Sequence, residues 1–107
     1  MRNTYNPYKK FVSSWVPNCL LEREELSGMD KLVWARLSQY MGKDGKCFPR
    51  QDTLAKEVGA SVRSVKRSIT KLIEHELIRS HRRGQGQSNM YEFVEHDWTH
   101  SEGHPIR

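Results

Sequence analysis

A chain of 107 residues with 36% hydrophobic and 29% charged residues has the size and composition of one folded domain, which excludes a disordered tail or a fibrous repeat. It contains no apolar run of about 18 residues and no apolar signal core at its start, so a cytoplasmic protein with no membrane partner is expected. Cys19 and Cys47 are too isolated to form a zinc site and are predicted to be reduced thiols.

The net charge of +5 is distributed unevenly. Residues 42–90 carry eleven Lys or Arg against five Asp or Glu, a net of +6, whereas the remainder carries seven against eight, a net of −1. A surface that is basic only for solubility would not concentrate its charge in one segment. The pattern therefore indicates an anionic partner, such as nucleic acid, for residues 42–90.

The N-terminal part carries no chemical motif. Residues 1–10 are polar and are predicted to form a flexible arm, and residues 11–95 are predicted to form the folded domain. Within that domain, Phe11–Leu21 has the β-branched and aromatic content of a short edge strand or an extended segment, although Pro17 interrupts it.

A first long helix is predicted to begin after Ser27, which can cap it, with Asp30 placed near its positive end. Apolar residues follow at helical spacing until Gly42, and they are Met29, Leu32, Val33, Leu37, Tyr40 and Met41. Trp34 lies beside this stripe, and it either packs on the N-terminal segment or marks an exposed partner surface.

Two shorter helices follow, and their order predicts a helix-turn-helix. The first is Gln51–Val58, ended by Gly59 in a left-handed conformation, and the second runs from Val62 to about His75 with Ser61 as its cap. The second helix is amphipathic. Its apolar face consists of Val62, Val65, Ile69, Leu72 and Ile73, and its opposite face carries Arg63, Ser64, Arg67 and Lys71, with Lys66 at the boundary.

A β-hairpin, here called the wing, is predicted next, with strands Leu77–Arg82 and Asn89–Val94. Its tip contains Gly84 and Gly86, and Tyr91 and Phe93 are expected to point inward. Residues 96–107 are predicted to be a flexible tail that Trp98 pins at its start. His96, His100 and His104 recur every four residues there, but Gly103 and Pro105 oppose a helix, so no metal site is predicted.

The predicted fold is therefore α+β, a winged helix-turn-helix of three helices and a C-terminal hairpin wing. Arginines on the second short helix suit guanine edges or phosphate, and arginines of the wing suit a narrow minor groove. The predicted contacts to double-stranded DNA are Arg50, Gln51, Lys56, Ser61, Arg63, Ser64, Lys66, Arg67, Lys71, Arg79, Arg82, Arg83, Gln85 and Gln87. The catalytic motifs of nucleotide-binding loops, nucleophile elbows and zinc proteases are absent, so we expect no enzyme and no cofactor.

Four stretches also carry a family resemblance: Gly45–Ala55, Gly59–Arg67, Leu72–Ile78 and, before the first long helix, Val16–Leu21. They resemble the winged-helix domains at the start of phage and plasmid replication-initiation proteins and of DnaD-like primosome proteins, over residues 11–94. The resemblance implies sequence-specific DNA binding in replication initiation, at the nucleoid, with replication proteins as partners. It also implies homodimer contacts through the N-terminal segment and first helix, which here would involve Phe11, Trp15 and Trp34.

Members of this group usually carry a second domain, so the chain is expected to be either a fragment of a longer initiator or a small stand-alone DNA binder. Other functions remain open. The same helix-turn-helix occurs in transcriptional repressors, and winged helices also serve as protein-interaction modules, including phage-encoded inhibitors of host complexes. RNA binding is a weaker alternative, because the aromatic residues occupy core-like positions and form no stacking platform.

Overall fold

The computed structural model describes residues 3–7 and 13–100. This part of the chain contains five helices and three strands, in the order α1 (Asn18–Leu21), α2 (Gly28–Gln39), β1 (Lys46–Cys47), α3 (Gln51–Val58), α4 (Val62–Glu74), β2 (Ile78–His81), β3 (Met90–Phe93) and α5 (Asp97–His100). The strands form one antiparallel sheet in the order β1-β3-β2. The predicted α+β winged helix-turn-helix is confirmed. None of the helices described has the length and apolar composition needed to cross a bilayer.

The segment before the first long helix differs from the prediction. Residues 13–17 have no regular secondary structure, and Asn18–Leu21 is a helical turn rather than a strand, so the strand interpretation is wrong there. Pro17 starts the turn, and its carbonyl accepts the N–H groups of Leu20 and Leu21 at 2.9 Å. Proline suits a helix start because its fixed φ is already helical. The predicted strand residues Phe11 and Val12 lie outside the described residues.

The start of α2 is as predicted. The Ser27 hydroxyl accepts the Asp30 N–H at 3.1 Å, and the Asp30 carboxylate accepts the Ser27 N–H at 2.9 Å, which completes a capping box. Val33 and Leu37 are fully buried on the core face. The predicted stripe was too wide, because Leu32, Tyr40 and Met41 are 49%, 38% and 47% exposed. Tyr40 and Met41 follow the end of the helix at Gln39 and so leave its periodicity.

Trp34 is half-buried and packs against the core, and it lines one groove together with Trp15, Pro17 and Cys19 of the N-terminal segment. Its ring meets Phe93 of β3 edge-on, with the centroids 5.4 Å apart and an interplanar angle of 74°. This geometry is favourable between aromatic rings. Trp34 therefore connects α2 to the base of the wing.

The two helices of the helix-turn-helix are confirmed in position and in their caps. Gly59 ends α3 at φ 69° and ψ 37°, and Ser61 caps α4. The core between them contains Leu54 and Ala55 of α3 and, from α4, Val65, Ile69 and Leu72. The predicted apolar residues Val62 and Ile73 lie at the edges of that face and remain 37% and 38% exposed.

The wing is confirmed, and a third strand that the sequence did not predict is added to it. In the hairpin, Ile78 pairs with Phe93 and His81 pairs with Met90. On the other side of β3, Cys47 of β1 pairs with Tyr91. Tyr91 is buried, as predicted, and Phe93 packs against the core. Since β1 covers the outer edge of β3, the wing is attached to the chain that leads into α3.

The start of the predicted tail contains a short helix, α5, that hydropathy did not indicate. Trp98 of α5 packs against the core beside His75 and His96, with ring centroids at 5.4 and 4.5 Å. The Cζ of Arg23 lies 4.6 Å from the Trp98 ring centroid. Residues 101–107 lie outside the described residues, so the flexibility of the tail remains a prediction.

Candidate nucleic-acid interface

The outer face of α4 carries four exposed cations, Arg63, Lys66, Arg67 and Lys71, which we call the basic face. These are four of the residues predicted to contact DNA. None of them forms an ion pair with any other residue that the structure describes. Because no carboxylate neutralises them, their full charge is available to an external anion.

The N-terminal end of α4 is organised by two serines from the predicted contact set. The Ser61 hydroxyl accepts the Ser64 N–H at 3.1 Å and lies 3.1 Å from the Ser64 hydroxyl, to which it donates. Ser61 therefore uses its proton and one lone pair inside the protein, as a helix cap does. The Ser64 hydroxyl keeps its own proton for an acceptor outside the protein, such as a phosphate or a base edge.

A polar cluster between α2 and α3 holds the helix-turn-helix in place. Arg36 donates from Nε and Nη2 to the two carboxylate oxygens of Glu57, at 3.1 and 3.0 Å, and the Tyr40 hydroxyl donates to the same carboxylate at 2.6 Å. The hydrogen bond from Arg36, followed by that from Tyr40, lowers the pKa of Glu57 below its ordinary value. The hydrogen bond from Arg36 to Glu57 raises the pKa of Arg36, and the hydrogen bond from Tyr40 to Glu57 raises the pKa of Tyr40.

The predicted contacts of α3 have different surroundings. Lys56 is exposed, whereas the exposed Arg50 lies 3.5 Å from the Asp52 carboxylate and shares its charge. Gln51 donates from its amide to the Tyr91 hydroxyl at 3.1 Å, so this side chain already connects α3 to the sheet. DNA contacts by these three residues remain predictions.

A polar cleft of about 350 Å³ lies where the start of α3, the start of α4 and the wing meet. From the two helices it is lined by Arg50, Gln51, Asp52, Val62 and Lys66, and from the wing by Gly86, Gln87, Ser88, Asn89 and Tyr91, with Pro49 between them. The fold therefore brings the start of α4 and the wing to the same edge. Four predicted contacts, Arg50, Gln51, Lys66 and Gln87, line this cleft.

The remaining predicted contacts lie on the wing, where Arg79, Arg82, Gln85 and Gln87 are exposed. Arg79 stands opposite Glu92 in the strand register, and the Nε2 of His81 lies 2.5 Å from a Glu92 carboxylate oxygen. Arg82 makes no ion pair within the described ranges. Arg79 and His81 thus sit beside an acidic neighbour, and Arg82 does not.

Arg83 differs from Arg82 because two of its five N–H groups already donate to acceptors inside the protein. Its Nε donates to the Ser88 carbonyl at 2.8 Å and its Nη2 to the Ser88 hydroxyl at 3.0 Å. Its Cζ also lies 4.6 Å from the centroid of the Phe48 ring. The sequence placed Arg82 and Arg83 together as groove contacts, and the structure gives them different surroundings.

The predicted contact set leaves out one exposed polar residue of this surface, Thr70. It lies among the cations of α4, where a helical wheel would have placed it had charge not decided the selection. Asn89 of the wing lines the cleft beside the predicted contact Gln87.

The N-terminal segment lies on a different part of the surface. Ser13 and Ser14 form hydrogen bonds with the Gln39 side chain at 2.7 and 2.8 Å. Trp15 is 68% exposed beside an apolar groove of about 480 Å³ that Trp34 and Phe93 also line. Phe11, the third residue expected at a dimer contact, lies outside the described residues.

The cysteines and histidines form no candidate centre in the described part of the chain. There, no group of three or more His, Cys, Asp or Glu residues is arranged to hold a metal ion. Cys47 is a buried free thiol, and burial raises its pKa to about 11. His104, the last of the regularly spaced histidines, lies outside the described residues.

Comparisons with known proteins agree with this geometry. Residues 24–78, slightly over half of the chain, match a family described as a helix-turn-helix domain. A comparison with curated proteins gave no match. A solved structure titled as the N-terminal domain of a DNA-binding protein is 17% identical, has a TM-score of 0.60, and covers 88% of this chain and 85% of that chain. Another, titled as a Rep-DNA complex, is 16% identical with a TM-score of 0.61, covering 87% and 84%. At these identities the likeness shows the fold.

Proposed function

Because the chain belongs to the helix-turn-helix domain family, we propose that it binds specific sequences of double-stranded DNA through α4 and the wing. The observation that carries this proposal is the basic face of α4, whose cations are exposed and unpaired within the described residues and lie beside a cleft shared with the wing. Unpaired cations on one helix face contribute little to the stability of the domain itself. Binding of an anionic ligand is the simplest explanation for their clustering there.

The proposed division of roles follows from position along the helix. Arg63, Ser64 and Arg67 belong to the first turns of α4, and this end would enter the major groove, which is about 12 Å wide and accepts a helix. Lys66 and Lys71 flank these residues, and Lys56 lies on α3, so these three would hold phosphates. The wing would contact the backbone or the minor groove beside them.

We propose replication initiation of the phage or plasmid type as the biological context. Two features support it: the resemblance of the sequence to winged-helix initiator domains, and the likeness in fold to a structure titled as a Rep-DNA complex. A transcriptional repressor is the second candidate, since the helix-turn-helix family match fits both roles. An initiator is expected to bind repeated sites in an origin, and a repressor a palindrome at a promoter.

Self-association through the N-terminal segment and α2 belongs to the same proposal. The exposed ring of Trp15 beside an apolar groove supports it. Sedimentation of the wild-type protein and of Trp15→Ser tests it. We expect the substitution to shift a dimer toward monomer, and identical sedimentation of the two proteins would argue against this contact.

The first experiment is selection of bound sequences from a random duplex library at about 150 mM salt, which suppresses non-specific phosphate binding. A recovered motif is the expected result, and its repeats or its symmetry separate the initiator from the repressor. Arg63→Ala with Arg67→Ala should abolish enrichment of that motif. A protein that binds no duplex at any salt concentration would overturn the proposal and would favour a protein-interaction module.

A further inference from the structure

The wing tip needs an internal support to hold a defined position. The chain between β2 and β3, residues 82–89, is long for a hairpin loop and contains Gly84 and Gly86 at φ 139° and 78°. Within it, the structure contains one backbone hydrogen bond, from the Gln87 N–H to the Gly84 carbonyl at 3.3 Å. Glycine-rich loops with few hydrogen bonds lose much conformational entropy when they are ordered.

That support comes from three residues, Phe48, Arg83 and Ser88, which we call the wing clamp. Arg83 makes a forked pair of hydrogen bonds to the carbonyl and the hydroxyl of Ser88, across the loop, at 2.8 and 3.0 Å. The Ser88 hydroxyl then donates to the Phe48 carbonyl at 2.7 Å. The Arg83 guanidinium lies over the Phe48 ring, with Cζ 4.6 Å from the centroid.

The wing clamp connects the wing to the helix-turn-helix. Phe48 directly follows β1 and precedes Pro49 and Arg50, and Arg50 is the N-cap of α3. The loop is therefore attached to the start of α3, at the cleft that α4 also borders. This attachment fixes the distance between the wing and the basic face, which is the distance that a DNA duplex would have to match.

Arg82 is the natural comparison, since it precedes Arg83 in the chain and carries the same charge. Arg82 is exposed, and among the described residues it forms no ion pair and no hydrogen bond. The donors of Arg83 that point across the loop are occupied. The two adjacent arginines thus present different chemistry to a ligand.

We propose that Arg83 is a positioning residue, which holds the wing against the segment before α3, and that Arg82 supplies the wing's cation to DNA. This inference rests on the proposed DNA-binding function. Arginine suits the task because its planar fork can donate twice to one residue while its face covers an aromatic ring, which lysine cannot reproduce. Loss of the clamp would leave the wing to be ordered during binding, at a cost in affinity.

The test compares Arg82→Gln with Arg83→Gln, which remove the same charge from adjacent positions. The affinity for the selected duplex is measured over a range of salt concentrations. Arg82→Gln should reduce the slope of log K against log salt by about 0.9, the value for one lost phosphate contact. Arg83→Gln should weaken binding about tenfold and leave that slope unchanged, since the bound complex neutralises the same number of phosphates.

A second readout needs no DNA. Hydrogen exchange of backbone amides in residues 84–90 should accelerate in Arg83→Gln and remain at the wild-type rate in Arg82→Gln. Ser88→Ala should accelerate exchange and weaken binding as Arg83→Gln does, although it changes no charge. Ser88→Thr, which keeps the hydroxyl, should restore both towards the wild-type values. Phe48→Tyr, which keeps the ring, should likewise be milder than Phe48→Leu.

If Arg83→Gln lowers the salt slope as Arg82→Gln does and leaves hydrogen exchange unchanged, Arg83 is a phosphate contact and the positioning role is wrong. A wild-type protein that binds no duplex would overturn the proposed function, and the positioning of a DNA-binding wing with it. The exchange comparison would still show whether Arg83 holds the loop, so the two failures are distinguishable.

Discussion

The arginines of α4 and the arginine of α2 have the same charge and opposite surroundings. Arg63 and Arg67 are exposed and, within the described residues, unpaired. Arg36 has a side chain that is 31% exposed, and it makes two contacts to Glu57, which also accepts a hydrogen bond from Tyr40. Arg36 therefore stabilises the protein itself, whereas the cations of α4 create a positive electrostatic potential in the solvent around the helix.

A count of charges does not distinguish cations that are paired inside the protein from cations that remain available to a ligand. Residues 42–90 carry a net charge of +6 from their eleven Lys and Arg against five Asp and Glu. The structure divides these cations into unpaired ones, such as Arg67, ones beside a carboxylate, such as Arg50, and ones engaged in a loop, such as Arg83. The partners of Arg83 are neutral, so Arg83 keeps its charge while two of its N–H groups are occupied. Only the unpaired group offers both its whole charge and its donors to a ligand, so the predicted interface becomes narrower and more testable.

The largest effect is expected for the unpaired arginines. Arg67→Ala should cost about 1–3 kcal/mol of specific DNA binding, as expected for an arginine that contacts a base, and should leave the free energy of unfolding nearly unchanged. Affinity for the selected duplex and denaturant unfolding measure the two quantities. Lys71→Ala is the control, because the loss of a phosphate contact should weaken binding equally on all DNA sequences. Equal weakening by Arg67→Ala would assign Arg67 to phosphate as well.

The next effect tests the turn that sets the direction of the basic face. Gly59→Ala should lower the free energy of unfolding by about 1–2 kcal/mol, because φ at this position is 69° and a residue with a Cβ is strained there. Space is not the cause, since no atom lies within 4 Å of a Cβ built on Gly59. Gly28→Ala is the matched control, with the same open space and no positive φ, and should cause no loss. Similar losses in both variants would contradict the argument from φ.

A smaller effect is expected for the paired arginine. Arg36→Ala should lower the free energy of unfolding by about 1 kcal/mol or less, since a partly exposed pair contributes modestly. Its affinity for the selected duplex should equal that of the wild type below the unfolding transition. If Arg36→Ala weakened DNA binding as much as Arg67→Ala, the contrast between paired and unpaired arginines would not hold.

The smallest effect is a pH dependence. Arg36, and then Tyr40, lower the pKa of Glu57, so this carboxylate stabilises the fold above its ordinary pKa. As the pH falls from the ordinary carboxyl pKa of about 4.3 through the lower folded value, that contribution is lost. Glu57→Gln should therefore flatten the acid limb of unfolding free energy against pH. Tyr40→Phe should flatten it less, because Arg36 is the larger cause. An acid limb identical to that of the wild type in Glu57→Gln would show that the pair adds nothing.

Local chemistry made much of the fold predictable. The capping box at Ser27 and Asp30, the left-handed Gly59 and the cap at Ser61 each act within a few residues, and all are confirmed. The amphipathic pattern of α4 likewise identified its buried centre and its basic face, with errors only at edge positions such as Val62. Propensities failed around Pro17, where the strand-like content of Phe11–Leu21 did not indicate the helical turn at Asn18–Leu21.

Contacts between distant residues were the part that sequence reasoning could not supply. Strand β1 has two residues, too short for any hydropathy pattern, and it exists because Cys47 can pair with Tyr91 of the returning wing. The amide of Gln51 donates to the hydroxyl of Tyr91, 40 positions away, and its predicted DNA contact stays a prediction. Neither pairing leaves a signal in the neighbouring residues.

The sequence by itself determined that this chain is a winged helix-turn-helix with a basic face on its second short helix, because caps, turns and helical periodicity depend on interactions over a few residues. Only the tertiary structure decided which cations are available to a ligand. That choice depends on neighbours far along the chain, such as Glu57, which pairs with Arg36, and Phe48, whose ring lies under the Arg83 guanidinium. Both contacts depend on distance in space and not on distance along the chain.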